Sequence, residues 1–225
     1  MALFEFPKSA VFGRVLPKSK IYEHSKPNSK IKDLFVKQVE RIVWAYKLSS
    51  ETINLASTPT TPEIQIFRID LKTEGIHEDV LRCIDKAIPF PLIFELHYKN
   101  KQKLIAAFKR PPATKNSTEI NKWIVESYFE SDWISNDENK SVLPQSLDLG
   151  SLYEQIIKSL MPSELISNEK NITIEQQVAN IDQTKVLQKE IDRLEVKFNK
   201  EKQPNRQFEI NKQLKLIKIE LDNLK

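Results

Sequence analysis

The chain has 225 residues, 40% of them hydrophobic and 29% charged, a composition that can form a core and excludes a wholly disordered protein. Its three glycines disfavour glycine-rich phosphate loops, and its single cysteine, Cys83, excludes an intrachain disulfide and a zinc site built on cysteines. The sequence shows no signal peptide and no apolar run of about 18 residues, which predicts a cytoplasmic protein without a membrane span; no cofactor is indicated.

Residues 1–30 are predicted to form a basic N-terminal arm. The formal net charge of the whole chain is only +4, too small to indicate a nucleic-acid partner by itself, but positive side chains are concentrated in this segment. Such an arm could bind phosphates by releasing counterions, and the alternative is a solvated terminus without a partner. The candidate nucleic-acid contacts are Lys8, Arg14, Lys18, Lys20 and Lys26.

Residues 31–161 are predicted to fold as a globular α+β domain. Hydrophobic periodicity predicts helices over 29–48, 77–88 and 147–161. Alternation predicts strands over 52–55, 63–72 and 121–133, and a β-hairpin formed by 91–98 and 103–110. This order of elements predicts a mostly antiparallel sheet with helices on one face.

A linker is predicted at 162–177, followed over 178–225 by an antiparallel helical hairpin, or coiled coil. Apolar residues spaced by four and three form a heptad seam in each half, and Pro204 ends one helix and begins the next. The short connection makes the two helices fold back on each other. Four apolar residues outside the seam are predicted to contact the globular domain, a protein partner or a second copy of the chain: Val186, Val196, Leu216 and Ile219.

One arrangement of charged residues could support metal-dependent nuclease chemistry. Asp70 and Lys72 form a D-x-K pair at the end of a predicted strand, and Glu51 precedes the neighbouring strand. In such sites carboxylates hold Mg²⁺ and the lysine stabilises charge near the attacked phosphate. Because D-x-K is short and the chain is rich in charge, a chance match is the alternative, and no catalytic residue is assigned.

Two further groups of side chains carry chemistry. Glu95 and His97 lie two residues apart on a predicted strand and so share a face, where they could bind a metal or relay a proton, or form a surface pair without function. Aromatic residues over 123–133 could stack on nucleic-acid bases or fill a core. Alternation places Trp123, Phe129 and Trp133 on one face of the strand, which is favoured as the core face. Tyr128 lies on the other face.

Seven segments carry a resemblance to a known family: VFGRVLPKSKIYE, VWAYKLSSETINLAST, EIQIFRIDLK, VLRCIDKAIPFPLIFEL, YFESDW, LYEQIIKSL and EKQPNRQFEINKQL. In this order they resemble a bacterial family known only as a domain of unknown function, from about Phe6 to Leu224. The resemblance carries no assigned catalytic residue. It implies a gene neighbourhood of adenine methyltransferases and DEAD-box-like helicases in restriction or phage-defence loci, and hence a helicase or methyltransferase as partner.

The sequence therefore favours a non-enzymatic accessory subunit of a bacterial DNA-targeting complex. In this interpretation the hairpin docks a partner and the basic arm contacts DNA. Two alternatives stay open, a metal-dependent nuclease with a degenerate D-x-K site and a stand-alone nucleic-acid-binding protein.

Overall fold

The computed structural model describes residues 3–112, 123–163 and 172–224, and the chain divides into two compact units, Met1–Met161 and Pro162–Lys225. The strands are β1 (Phe4–Glu5), β2 (Val11–Val15), β3 (Val39–Leu48), β4 (Ile64–Leu71), β5 (Leu92–Tyr98), β6 (Lys101–Arg110), β7 (Ile124–Glu130), β8 (Ile134–Ser135) and β9 (Ser141–Val142). The helices are α1 (Lys18–Ser25), α2 (Ser29–Gln38), α3 (Ser50–Ile53), α4 (Glu78–Ala87), α5 (Leu149–Leu160), α6 (Ile174–Lys200) and α7 (Pro204–Asp222), with a 3-10 turn at Lys8–Ala10.

Within the described residues, the first unit is built on a seven-stranded sheet in the order β2-β3-β4-β5-β6-β7, with β8 paired to the start of β6. Neighbouring strands run antiparallel except β4 and β5. These two are parallel because α4 carries the chain back between them, which is the crossover that a parallel pair requires. The predicted α+β class with a mostly antiparallel sheet is confirmed.

Helices cover both faces of this sheet, whereas the sequence predicted one helical layer. On one face α4 packs with α1 and α2 over a cluster that includes Phe67, Phe94 and Ile105. On the other face Tyr153 of α5 stacks on Phe108, with 6.0 Å between ring centroids. Successive side chains of a strand point to opposite faces, so Ile105 and Phe108 of β6 belong to different layers.

The predicted helix over 29–48 is wrong in its second half. The helix α2 ends at Gln38 and β3 begins at Val39, pairing with β4 from Val39 to Leu48. The residues of β3 are rich in β-branched and aromatic side chains, which favour a strand. Ile42 and Val43 happen to continue the helical spacing of α2, so local periodicity alone could not place the boundary.

The predicted strand over 52–55 is also wrong, because residues 50–53 form the short helix α3. Ser49 begins it through a capping box with Thr52, whose hydroxyl accepts from the Ser49 backbone N–H at 2.9 Å. Asn54 then ends the helix in a left-handed conformation, with a φ of 55°.

The segment predicted as a basic arm contains elements of the first unit. The edge strand β2 pairs with β3, and Phe12 packs on Trp44 with ring centroids 4.0 Å apart. Gly13, with a φ of 68°, lies where the β2–β3 register shifts. Lysines between the apolar residues hide this pattern in the sequence, although the segment buries Leu3, Phe4, Phe6, Ala10 and Ile21.

In the second unit α6 and α7 pack against each other, as predicted, and Pro204 is the first residue of α7. The seam residues form one cluster, consisting of Leu187, Ile191, Leu194, Phe198, Ile210, Leu214, Ile217 and Leu221. A capping box of Thr173 and Gln176 begins α6 four residues before the predicted hairpin start. The predicted linker over 162–177 lies partly outside the described residues.

Candidate functional site

Asp70, the acid of the D-x-K hypothesis, lies near the end of β4 with its carboxylate between two arginines. Nε of Arg68 donates to Oδ1 at 2.8 Å, and Nε of Arg41 on β3 donates to Oδ2 at 2.9 Å. Burial by itself raises the pKa of Asp70, but the hydrogen bonds and charges of Arg68 and Arg41 outweigh it and lower that pKa. A metal ion at this carboxylate would have to displace two guanidinium groups.

Lys72, the other half of the D-x-K motif, forms its hydrogen bond with a group other than Asp70. Its Nζ donates to the backbone carbonyl of Val36 at the end of α2, at 2.8 Å. Glu51 lies exposed on α3 instead of preceding a strand. In the part of the chain that the structure describes, no group of three or more His, Cys, Asp or Glu residues could hold a metal ion.

Glu95 and His97 share a face of β5, as their spacing predicts, and extend the same charged ladder. In register, Arg68 lies opposite Glu95 and Asp70 lies opposite His97. Lys140 donates to Glu95 Oε1 at 2.6 Å, and His97 Nε2 lies 3.4 Å from Oε2. Burial raises the pKa of Glu95, but His97 and Lys140 outweigh it, so that its pKa is lowered and it stays ionised.

A second group of buried charges was missed from the sequence. The Lys109 side chain is 0% exposed, and its Nζ donates to Asp85 O at 2.7 Å, Asp85 Oδ1 at 3.2 Å and Ile88 O at 2.5 Å. The Tyr128 hydroxyl donates to the other oxygen of Asp85. Burial raises the pKa of Asp85 and lowers that of Lys109.

This cluster caps the C-terminus of α4 and joins it to β6 and β7. A cation there is favourable because the last carbonyls of a helix lack helical partners. One local signal was available, since Asp85 lies on the apolar stripe of α4 with Leu81 and Ile84. Nothing in the local sequence names Lys109 as its partner, because the two residues are 24 positions apart.

One of the five basic residues predicted to contact nucleic acid is used inside the fold. Nζ of Lys18 donates to the carbonyls of Phe35 at 3.1 Å and Val39 at 2.6 Å, which caps the end of α2. Burial lowers the pKa of Lys18, and the nearby positive charge of Lys72 lowers it further. This ammonium group therefore already donates hydrogen bonds to carbonyl oxygens of the fold.

The other four basic residues are exposed but do not share one element. Lys8 lies in the 3-10 turn and Arg14 lies on β2, with its guanidinium 4.8 Å from the Phe12 ring centroid. Lys20 lies on α1 and forms an exposed ion pair with Glu23 at 2.9 Å. Lys26, which ends α1, has a φ of 47°.

The aromatic residues near β7 divide between the two faces differently from the prediction. Phe129 is buried, while Tyr128 and Trp133 both pack against the cluster beneath α4. Trp133 does not share the face of Phe129 because β7 ends at Glu130, where strict alternation stops. Lys103 lies over the Trp133 ring, with Nζ 5.1 Å from its centroid.

The helix α7 carries a second apolar stripe besides the seam. Phe208, Leu216 and Ile219 are 68%, 61% and 59% exposed. At about 100° of rotation per residue they fall within an arc of about 80°, on the side away from the seam. Lys212 and Lys215 lie on the same side and take part in no ion pair among the described residues. We call Phe208, Lys212, Lys215, Leu216 and Ile219 the outer stripe.

The four residues predicted to bind a partner are all exposed, although this does not test their role. Leu216 and Ile219 belong to the outer stripe, and Val186 and Val196 lie on α6. The sequence interpretation missed Phe208, which lies only two residues before the seam residue Ile210. Its distance of eight and eleven residues from Leu216 and Ile219 is the signal that could have identified it.

The two units define an α+β protein with a helical hairpin, whose sheet charges are paired internally and whose last helix exposes apolar side chains. The chain belongs to the family described as Domain of unknown function (DUF4391), whose model matches residues 4–221. No curated protein and no solved structure matches the chain. None of the helices in the described ranges has the apolar length that a bilayer crossing requires.

Proposed function

We propose that this chain is a non-enzymatic accessory subunit of a bacterial complex that acts on DNA, as in restriction or phage defence. In this proposal the outer stripe binds a partner protein. The observation that supports it is the exposure of Phe208, Leu216 and Ile219 on one side of α7.

Single exposed apolar residues are common and need no explanation, but an aligned set on a helix is a typical contact surface for another helix. Fully burying one such side chain contributes roughly 1.5–3 kcal/mol. Burying three of them contributes to the free energy of association. The total gain from such contacts also has to offset the entropy lost on binding.

The charge of the outer stripe selects the chemistry of the partner. Lys212 and Lys215 lie between the apolar residues, whereas Lys218 pairs with Glu195 at 2.8 Å. We therefore expect an amphipathic helix with acidic residues beside its apolar ones, because complementary charges favour the correct partner. The family resemblance of the sequence indicates a cytoplasmic helicase or methyltransferase as this partner.

DNA contact is the second part of the proposal. Four of the five predicted contact residues are exposed, namely Lys8, Arg14, Lys20 and Lys26. Lysines and arginines bind phosphates without reading the base sequence. This contact would hold the complex on DNA, and the partner would carry out the chemistry.

The test is co-purification of the full chain with the helicase and the methyltransferase that the resemblance leads us to expect beside its gene. We expect a complex with at least one of them, lost in a Phe208→Glu/Leu216→Glu variant because acidic groups cannot replace the apolar contacts. Leu147→Glu is the matched control, since Leu147 is 92% exposed and lies in the first unit. Circular dichroism shows whether each variant keeps its helices.

Three outcomes would overturn the proposal. The double variant could retain the partner, which would place the interface elsewhere. Light scattering could show a dimer of the chain that becomes monomeric in the variant, so that the stripe binds a second copy. Purified protein could cleave plasmid DNA with Mg²⁺ and lose this activity in Asp70→Ala, which would favour the nuclease alternative.

A further inference from the structure

A cleft of about 360 Å³ opens on the helical face of the sheet, between α1, strands β3 and β4, and the segment after α4. Its apolar lining includes Leu16, Ile21, Trp44, Phe67, Ile88 and Phe90. Its polar lining is Lys20, His24 and Gln65. We call this the α1 cleft. A concave, largely apolar space with a few polar groups is the usual form of a ligand site.

The aromatic floor of the α1 cleft is held in place by its neighbours. Trp44 packs between contacts with Phe12 and Phe67, whose ring centroids lie 4.0 and 5.8 Å away. Its indole Nε1 donates to the backbone carbonyl of Tyr46 at 3.0 Å. Gln65 is only 3% exposed, and its amide donates to Glu63. The site is therefore formed before any ligand arrives.

The cleft lies beside a basic segment of the chain. Residues 18–38 contain six lysines and two carboxylates, a net charge of +4 that equals the formal charge of the whole protein. Lys20 and His24 are four residues apart on α1, so both reach the rim from the same side of the helix. The pairing of Lys20 with Glu23 is exposed to solvent and is therefore a weak competitor for another anion.

We propose that the α1 cleft binds one base of a single-stranded nucleic acid, with the adjoining phosphates at Lys20, His24 and the exposed lysines of α1 and α2. This deepens the proposed function, and it rests on that function only in assigning the chain to a complex that acts on nucleic acid. It replaces a diffuse contact along the N-terminal residues with a defined site.

Two features of the α1 cleft favour this occupant. An aromatic-lined space next to a positively charged surface is the arrangement by which proteins bind single strands, because every base has an apolar face and every nucleotide carries a phosphate. A paired base is stacked between its neighbours in a duplex and cannot enter. Gln65 is the one amide among the lining residues that could donate to or accept from a base edge.

The experiment uses the full chain with Trp123→Phe and Trp133→Phe, so that Trp44 is the only fluorescent indole. Fifteen-nucleotide single strands of DNA and of RNA form two arms, and binding is followed by anisotropy of a labelled strand. We expect quenching of Trp44 that saturates together with the anisotropy. A duplex of the same sequence should bind at least ten-fold more weakly, and the stronger single-strand arm identifies the sugar that is preferred.

Substitutions distinguish the contribution of the cleft to binding from the contribution of the surrounding charge. Ala87→Trp places a large side chain in the cleft wall and should abolish the quenching and weaken binding at least ten-fold, with Ala87→Leu as a milder variant if the first is unfolded. Lys20→Ala should reduce the slope of log affinity against log salt by about 0.7, the loss of one phosphate contact to a single strand. Lys189→Ala removes an exposed lysine on α6 and should leave the slope unchanged.

Several results would overturn this inference. They are failure to bind either single strand at low salt, binding that leaves Trp44 fluorescence unchanged, and equal affinity of the Ala87→Leu variant and the parent protein. Quenching of Trp44 by polyglutamate as effective as that by the oligonucleotides would identify an acidic peptide instead. Because the Phe208→Glu/Leu216→Glu variant leaves this cleft intact, its binding of single strands separates failure of this site from failure of the outer stripe.

Discussion

The two units of the chain differ in their buried charges and in the alignment of their exposed apolar side chains. The sheet unit buries charged groups and gives each a partner, as with Lys109 and Asp85 beneath α4 and with Glu95 and Lys140 on the other face. The helical hairpin leaves apolar groups in water, as with Phe208 and Leu216 on α7. The first arrangement stabilises one fold, and the second is the basis of the proposed partner surface.

This difference shows why a perturbed pKa does not by itself identify a site. Burial raises the pKa of Asp85 and lowers that of Lys109, a pattern also found in catalytic groups. The Lys109 ammonium, however, already bonds to three oxygen atoms and is inaccessible. A ligand could reach it only if the fold opened.

The largest effect should come from breaking the buried charge pair. Lys109→Met removes the ammonium and leaves Asp85 as an uncompensated buried charge, so we expect the free energy of unfolding to fall by about 3–5 kcal/mol. Urea denaturation followed by tryptophan fluorescence measures this change. A loss below about 1 kcal/mol would show that Lys109 contributes little to stability.

A double variant tests whether the charge pair or the packing is responsible. Asp85→Asn in the Lys109→Met background removes the stranded charge and should recover part of the lost stability. If the double variant is no more stable than Lys109→Met, the methylene packing of Lys109 matters more than its charge. The exposed control is Lys99→Met, which changes the same residue type on the β5–β6 turn.

Elements with strong local periodicity could be predicted from the sequence. The seam of the hairpin was predicted because apolar residues recur at spacings of four and three residues in each helix, with Pro204 marking the break. The helix α4 and the hairpin of β5 and β6 were predicted for the same reason. In these segments no other pattern competed.

Features that depend on partners distant in sequence could not be predicted. The start of β3 at Val39 is decided by its pairing with β4, because Ile42 and Val43 satisfy both helical and strand spacing. The capping role of Lys18 depends on carbonyls seventeen and twenty-one residues away. The α1 cleft brings together four separate segments, so no single motif marks it.

A matched pair of substitutions on α7 sharpens the comparison within the hairpin. Leu214 is buried in the seam and Leu216, two residues later, lies on the outer stripe. We expect Leu214→Ala to lower the free energy of opening of the hairpin by about 2–5 kcal/mol, through lost burial and a cavity. Leu216→Ala should change it by no more than about 0.5 kcal/mol.

Native-state amide hydrogen exchange in α6 and α7 measures both effects in the full chain. The two substitutions remove the same atoms from the same helix, so helix propensity cancels between them. Equal losses of protection would mean that Leu216 is covered in solution. In that case the outer stripe would not be free for a partner.

A smaller effect than those of Lys109→Met and Leu214→Ala should come from the charged ladder on the sheet, where Glu95 is the most buried acid. Its pKa in the folded state is lowered from 4.5, so it contributes stability above pH 4.5 that is lost as the pH falls through the folded-state value. Glu95→Gln leaves Lys140 without its carboxylate and should cost about 1.5–3 kcal/mol at pH 7. Below pH 4.5 the difference between parent and variant should shrink.

Urea midpoints between pH 7 and pH 3 measure this convergence, and Glu138→Gln is the control because Glu138 is exposed. The parent and Glu138→Gln should lose stability together as the pH falls, while Glu95→Gln changes less. Parallel curves for all three proteins would mean that Glu95 titrates alike in the folded and unfolded chain. The ladder would then be a surface feature. The sheet unit pairs its charges internally and the hairpin exposes its apolar groups, and this contrast would then rest on Lys109 and Asp85 alone.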